Sequence, residues 1–187
     1  MKKDISLSVV LPAYNEAKNI EGTVSEAISY LRARFERFEI IVVNDGSVDG
    51  TREVVERLSL SNPMVVLINH PVNLGYGSAL RSGFERASLD YIFFMDSDGQ
   101  FKISDVDRLI PFIENYDVIV GYRGKRADSF IRSLNTRIYH LYIRFLFGLK
   151  LRDIDCAFKL FSRSAYYAIR PIKSSGALLS SPLFIKP

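Results

Sequence analysis

Two aspartates one residue apart, Asp96 and Asp98, close the apolar run of "FFMDSDGQF" (93–101). Aspartates at this spacing serve three chemistries: a carboxylate nucleophile that takes up a phosphoryl group, a calcium loop, or a pair holding a divalent metal on a nucleotide diphosphate. Three other stretches carry comparable polar residues: "PAYNE" (12–16), "NDGSVDG" (44–50) and "NHPVNLGYG" (69–77).

The second of these imitates a calcium loop. Asp45, Ser47, Asp49, Gly50 and Glu56 stand at positions 1, 3, 5, 6 and 12 of that pattern. A calcium loop of this kind follows a helix, however, and "EIIVV" ahead of it reads as strand. In "DSDGQFKISDVD" the sixth position is Phe101, where the loop needs glycine. A tight turn fits better. Gly46 and Gly50 would relieve the backbone, Ser47 or Asp49 would cap a helix containing Val54 and Val55, and Asp45 would be left to point at a ligand. The phosphatase alternative needs Asp-x-Asp-Gly-Thr on the first strand; here the motif closes the fourth strand, ends in Gln100, and gives the earlier loops no role.

The metal reading employs every loop. Alternate residues of an extended chain point the same way, so Asp96 and Asp98 reach one cation. Mg²⁺ or Mn²⁺ takes few carboxylate oxygens and completes its octahedron with phosphates and water. Gln100 would add a neutral oxygen or bind a metal-held water. Tyr14 offers an aromatic face to a base, and Glu16 and Asp45 offer acceptors to ribose or a base N–H. The structural alternative for Tyr14 and Glu16 is helix-start chemistry, with Asn15 as N-cap.

The elements that must position these loops follow from hydrophobic period. Apolar runs at 5–11, 38–43, 64–68, 91–95 and 116–121 read as strands. Between them lie helical periods; over 17–35, Ile20, Val24, Ala27, Ile28 and Leu31 recur at three- and four-residue steps. This alternation predicts βαβ units and a mostly parallel sheet covered on both faces, a three-layer α/β fold. The four polar loops then lie along the carboxyl rim, where such sheets collect ligands.

The chain has 187 residues, 48% hydrophobic and 25% charged, enough for one domain over 1–187 with a sizeable core. One cysteine, Cys156, excludes an internal disulfide and fits a reducing compartment. Asp4 and Pro12 leave too short an apolar stretch for a signal peptide. No run approaches the ~18 apolar residues of a membrane span, so a soluble or peripheral chain is expected. Charge is uneven: residues 123–173 hold twelve Lys or Arg against three Asp or Glu, a face suited to a membrane, nucleic acid or phosphorylated substrate, or simply to solvent.

"VVLPAYNEAKNI", "VVNDGSVDGT", "NLGYGSALRSGFERA" and "FMDSDGQF" together resemble the successive motifs of inverting family 2 glycosyltransferases with the GT-A fold. "VGYRGKRADSFIR" and "FGLKLRDIDCAFKLFSR" resemble the branch of dolichyl-phosphate mannose synthases and polyprenyl-phosphate glycosyltransferases, and the likeness runs from residue 5 to about 180. The resemblance implies a three-layer GT-A sandwich with a mostly parallel mixed sheet. It implies transfer of a sugar, with inversion, from a UDP- or GDP-sugar to a polyprenyl or dolichyl phosphate with Mg²⁺ or Mn²⁺, and no nucleic acid partner. By the same analogy Pro12, Tyr14, Glu16, Val43 and Asp45 line the nucleotide pocket. Asp96, Ser97 and Asp98 meet ribose, diphosphate and metal, and Gln100 completes the metal site. Arg123, Lys159 and Arg163 are candidates to hold phosphate. Asp96, Asp98 and Asp155 are the candidate catalytic residues: the first two act through the metal, no dedicated base is assigned, and Asp155 is the one candidate for that role.

Two departures stand out: Gly99 precedes Gln100 where the mannose synthases have leucine, and Asn44 replaces the first carboxylate of an Asp-Asp-Gly-Ser series. Relatives also continue past "SSGALLSSPLFIKP", so part of the acceptor site is expected to be missing, and a donor-binding module without turnover is the alternative function. Within 129–147, Phe130, Ile131, Leu134, Ile138, Leu141 and Phe145 form a stripe flanked by Arg137 and Arg144. That pattern suits a helix on an anionic membrane surface, and hence a peripheral position on the cytoplasmic face; a core-facing helix is the alternative.

Overall fold

The computed structural model describes residues 3–121 and 156–168. β1 (Lys3–Ala13), α1 (Ile20–Arg34), β2 (Phe35–Asp45), α2 (Thr51–Ser61), β3 (Val65–His70), α3 (Tyr76–Arg86) and β4 (Tyr91–Met95) alternate as expected. Two 3₁₀ segments (Ile103–Arg108 and Ile110–Phe112), β5 (Val118–Val120), β6 (Phe158–Ser162) and α4 (Arg163–Ala168) follow. The strands lie in one six-stranded sheet of order β3-β2-β1-β4-β6-β5. β1 to β4 are mutually parallel, whereas β6 runs antiparallel to both β4 and β5.

β6 is the strand that hydrophobic period did not reveal. Lys159 interrupts its apolar run, yet Lys159 is buried, opposite Phe94 and Val120. The consequence reaches the site: a chain leaving antiparallel β6 emerges at the amino end of β4, away from the rim.

The layers follow from alternation along strands that are apolar on both faces. Leu7, Val9 and Leu11 of β1 face α1, α2 and the first 3₁₀ segment, packing with Ile20, Val24, Leu31, Val55 and Val106. α1 buries the five residues that its period singles out. Val10 faces the other way, with Ile41, Val43 and Phe94, against Ala79, Leu80 and Phe84 of α3. There Phe84 meets Phe161 and Tyr166 edge-on at centroid distances of 5.1 and 5.6 Å, geometry that aromatic quadrupoles favour. α3 sits close because Gly83 has no side chain: a Cβ there would lie 2.3 Å from Val10 Cγ1. Arg34 at the end of α1 pairs with Asp107 at 2.7 Å and ties down the 3₁₀ segment that follows the fourth rim loop. Among the described residues no helix is long and apolar enough to cross a membrane.

Candidate active site

Strand order reverses between β1 and β4, which is where a crevice opens in sheets of this kind. A cavity of about 260 Å³ lies there. It is lined by Pro12, Ala13, Tyr14 and Glu16 after β1, Asp45 after β2, Asn73, Tyr76 and Ala79 from the β3–α3 connection and α3, and Asp96, Ser97 and Asp98 after β4. All four loops singled out in the sequence contribute.

The fourth loop is held by its middle residue. Ser97 is buried; its hydroxyl donates to Pro12 O at 2.8 Å, and its carbonyl accepts from the Thr23 hydroxyl at 3.2 Å. With Ser97 fixed between β1 and α1, Asp96 and Asp98 both line the cavity. The Tyr76 hydroxyl donates to Asp96 Oδ1 at 2.9 Å. Asp98 Oδ1 accepts the N–H of Gln100 at 3.0 Å, closing a turn in which Gly99 has φ 78°. Gln100 is exposed on that turn and is not part of the cavity lining.

The first loop is held by the second. Asn15 adopts φ 57°, a left-handed conformation that asparagine tolerates better than most residues. Its N–H donates to Ser47 Oγ at 2.9 Å and its Oδ1 accepts from Val48 N–H at 3.0 Å. Thr51 Oγ1 accepts Glu16 N–H at 2.9 Å, and Asp49 Oδ2 accepts Ala17 N–H at 3.0 Å. Asp49 Oδ1 takes the N–H and hydroxyl of Thr51. Burial works against the Asp49 charge, but these bonds from Thr51 and Ala17 outweigh it and hold the carboxyl below its ordinary range. Tyr14, half exposed at 48%, is thereby presented at the mouth.

Several expectations need correction. Asn15 is a clasp residue and not a helix cap; the N-cap of α1 is Asn19. The N-cap of α2 is Gly50 in left-handed conformation, with Asp49 acting one residue ahead of it. Asp45 is not left free: it is 3% exposed, and its oxygens engage His70 Nδ1 at 2.7 Å, Leu74 N–H at 3.0 Å and Gly75 N–H at 2.9 Å. The calcium pattern therefore does not assemble, since Asp45 holds the third loop, Asp49 the first, and Glu56 pairs with Arg52 at 2.7 Å.

Val43 is wholly buried under α3 and does not line the cavity, because strand alternation turns it toward Gly83. Lys159 is also buried, its ammonium 5.3 Å from the centre of the Phe94 ring, so it is not exposed for an acceptor phosphate. Arg163 follows antiparallel β6, and its guanidinium donates to Ser88 O at 2.8 Å at the amino end of the sheet. Arg123, Asp155, Arg137, Arg144 and the stripe over 129–147 lie outside the described residues.

Three residues at or beside the cavity that carry polar side chains, Asn73, Tyr76 and His70, are not singled out by the sequence. Tyr76 and Asn73 sit in the "NLGYG" stretch, which the sequence marks as a rim loop without singling out a residue, and His70 gives no local signal at all.

Among the described residues no three His, Cys, Asp or Glu converge to cage an ion. Two carboxylates at the cavity floor nonetheless fit Mg²⁺ or Mn²⁺, which binds through one or two protein carboxylates and leaves the remaining positions to phosphate and water.

The sequence model of glycosyl transferase family 2 matches residues 8–170. A dolichyl-phosphate beta-glucosyltransferase of Trichomonas vaginalis is 34% identical over 177 residues, 86% of this chain and 54% of its own. The dolichyl-phosphate beta-glucosyltransferase of Saccharomyces cerevisiae is 33% identical over 195 residues, 90% of this chain and 58% of its own. The chain thus spans somewhat over half the length of these curated relatives. Among solved structures, a mannosyltransferase from Pyrobaculum calidifontis in complex with GDP-Man and Mn²⁺ superposes with a TM-score of 0.66 at 16% identity, covering 97% of this chain and 52% of that one. Its likeness concerns the fold, the GT-A arrangement expected from the motifs.

Proposed function

The chain belongs to glycosyl transferase family 2, and from that premise we propose that its rim cavity binds a nucleotide-sugar donor whose sugar passes to a polyprenyl phosphate. The observation that carries this reading is the convergence of Tyr14, Glu16, Asp96, Ser97 and Asp98 on one cavity at the switch in strand order. The Tyr14 ring offers a stacking face to the base, and Glu16 offers an acceptor to ribose or base N–H groups. Asp96 and Asp98 would hold Mg²⁺ or Mn²⁺, which when bound offsets charge on the departing diphosphate. The Mn²⁺ of the Pyrobaculum calidifontis complex supports that assignment.

The reaction is a single displacement with inversion. An oxygen of the acceptor phosphate attacks the anomeric carbon from the face opposite the nucleotide diphosphate; the new C–O bond forms as the bond to the diphosphate breaks. The attacking oxygen is already anionic at neutral pH, so no proton has to be removed, and no general base is assigned among the described residues. The names of the Trichomonas and Saccharomyces relatives support a dolichyl-type acceptor. A lipid acceptor puts the reaction at a membrane surface, and the basic excess over residues 123–173 suits the anionic headgroups of a cytoplasmic face.

Calorimetric titration of UDP-glucose and GDP-mannose, each with and without Mn²⁺, tests the donor half. Saturable, metal-dependent binding of one of them is expected, and its absence for both overturns the reading. Incubation with a short-chain polyprenyl phosphate, followed by NMR of the product, tests the acceptor half: a glycosyl phosphate of anomeric configuration opposite to the donor is expected.

A further inference from the structure

His70 ends β3 directly beside Asp45 in parallel register, and it is 8% exposed. Its Nδ1 lies 2.7 Å from Asp45 Oδ1 and its Nε2 lies 2.9 Å from Ser82 Oγ on α3. A carboxylate only accepts, so Nδ1 carries the hydrogen toward Asp45; in the neutral ring Nε2 then accepts from the Ser82 hydroxyl. Asp45 in turn takes the N–H groups of Leu74 and Gly75. Leu74 and Gly75, at the end of the strap 71–75, thus hang from one buried carboxylate, with the Gly75 N–H shared with Asn73 Oδ1 at 2.9 Å. Immediately after the strap comes Tyr76, which donates to Asp96 at the far side of the cavity.

The strap is also packed against the second loop from below. Gly46 has φ 69°, and a Cβ there would lie 2.3 Å from the carbonyl carbon of Val72. The strap therefore cannot settle toward β2, and the Asp45 contacts tether its far end.

The row Ser82, His70, Asp45 has the composition of a nucleophile triad. It does not work as one, because Ser82 lies inside α3, where neighbouring N–H groups are consumed by helical bonds and none is left to stabilise an oxyanion. The row instead ends on the strap.

We infer that His70 is a positioning residue for the donor. By donating to Asp45 it fixes the carboxylate that suspends the strap, and through the strap it sets Asn73 and Tyr76 in the cavity. The inference rests on the reading of this cavity as a nucleotide-sugar site. It also gives Asp45 a task other than direct contact with the base.

Two substitutions separate positioning from plain packing. In His70→Asn the side-chain amide sits near the place of Nδ1 and can still donate to Asp45, while the bond to Ser82 is lost. In His70→Gln the amide reaches toward Ser82 and the donation to Asp45 is lost. Both replace a buried ring by a smaller polar group, so their melting midpoints should fall together. Affinity for UDP-glucose or GDP-mannose with Mn²⁺, whichever the unaltered chain takes up, should fall about tenfold in His70→Gln and less than about threefold in His70→Asn, the scale of one hydrogen bond to a charged group. Hydrogen exchange at the Leu74 and Gly75 amides, read by NMR, should quicken in His70→Gln and stay near the original rate in His70→Asn. Equal affinities in the two variants, or losses that follow the melting midpoint alone, would overturn the positioning role. If the unaltered chain binds neither nucleotide sugar with metal, the donor reading itself falls. The exchange rates then still decide the link from His70 to the strap: unchanged protection in His70→Gln refutes it, and faster exchange upholds it.

Discussion

Both ends of this sheet place carboxylates beside serines, and they use them in opposite ways. At the amino end, Glu39 Oε1 accepts the hydroxyl of Ser8 at 2.6 Å and the N–H and hydroxyl of Ser88 at 2.7 and 2.9 Å. Asp90 takes the Ser6 hydroxyl and returns its own N–H to the same oxygen. These networks close on themselves and seal the strand ends. At the carboxyl rim Asp96 accepts the Tyr76 hydroxyl and Asp98 accepts the Gln100 N–H, and both line a cavity. The difference teaches that carboxylates at the two ends are set apart by what they border: those at the amino end face serines and backbone N–H groups, whereas Asp96 and Asp98 border a cavity. By that standard Asp49, although on the rim, behaves like Glu39.

The largest effect that would sharpen this contrast is at Asp98. Asp98→Asn should weaken metal-dependent donor binding by about a hundredfold, since a neutral amide cannot match a carboxylate in charge compensation of a divalent cation. Calorimetry with Mn²⁺ present and absent reads it. Binding that keeps its metal dependence would remove Asp98 from the site and dissolve the distinction between the two ends.

Next comes the reverse experiment at the closed end. Glu39→Ala leaves the Ser8 hydroxyl and the Ser88 N–H without their acceptor, which should cost about 1–3 kcal/mol of stability. Urea unfolding measures that loss. Donor affinity should stay within about twofold, because the network lies at the opposite end of the strands. A variant that unfolds no more easily, yet binds donor poorly, would show the amino end to be coupled to the cavity.

A smaller effect is expected at Tyr76. Removing its hydroxyl in Tyr76→Phe deletes the bond to Asp96 and keeps the ring, so donor affinity should drop about three- to tenfold, the range of one net hydrogen bond. An unchanged affinity would mean that Asp96 needs no holding.

These expectations also mark what could be read from residue order. The stripe Ile20, Val24, Ala27, Ile28 and Leu31 is buried as its period demands, and the rim loops fall where strand-helix alternation puts them. Both depend on neighbours within a few residues. Other features depend on distant partners. Asp45 meets donors from residues 70–75, and Asn15 meets acceptors and donors at 47 and 48, so neither role has a local pattern. Arg163 lies away from the rim for a topological reason: the direction of β6 is settled by pairing with β4 and β5, and a lysine within the strand hides it. The motifs say which residues gather at the rim. They do not say which of them the fold has already used.

Asp49 offers the finest test of that last distinction, because its charge and its shape can be separated by pH. Its carboxyl is held below the ordinary range by bonds from Thr51 and Ala17 that exceed the opposing effect of burial. A carboxyl with a depressed folded pKa contributes stability above its unfolded pKa of ~3.9 and loses it as pH falls through the lower folded value. Asp49→Asn keeps the size and one acceptor oxygen but has no charge to lose. Between pH 5 and 7 the urea midpoints of the two proteins should therefore differ by a small, constant amount. Below about pH 4 the gap should shrink as the Asp49 carboxylate takes up its proton. Donor affinity at neutral pH should change by less than about twofold, because Asp49 braces the loop of Tyr14 and Glu16 without lining the cavity. A gap that persists unchanged into strong acid would show that the clasp needs only the shape of the side chain. A large loss of donor affinity in Asp49→Asn would move this residue from the closed class of carboxylates to the open one.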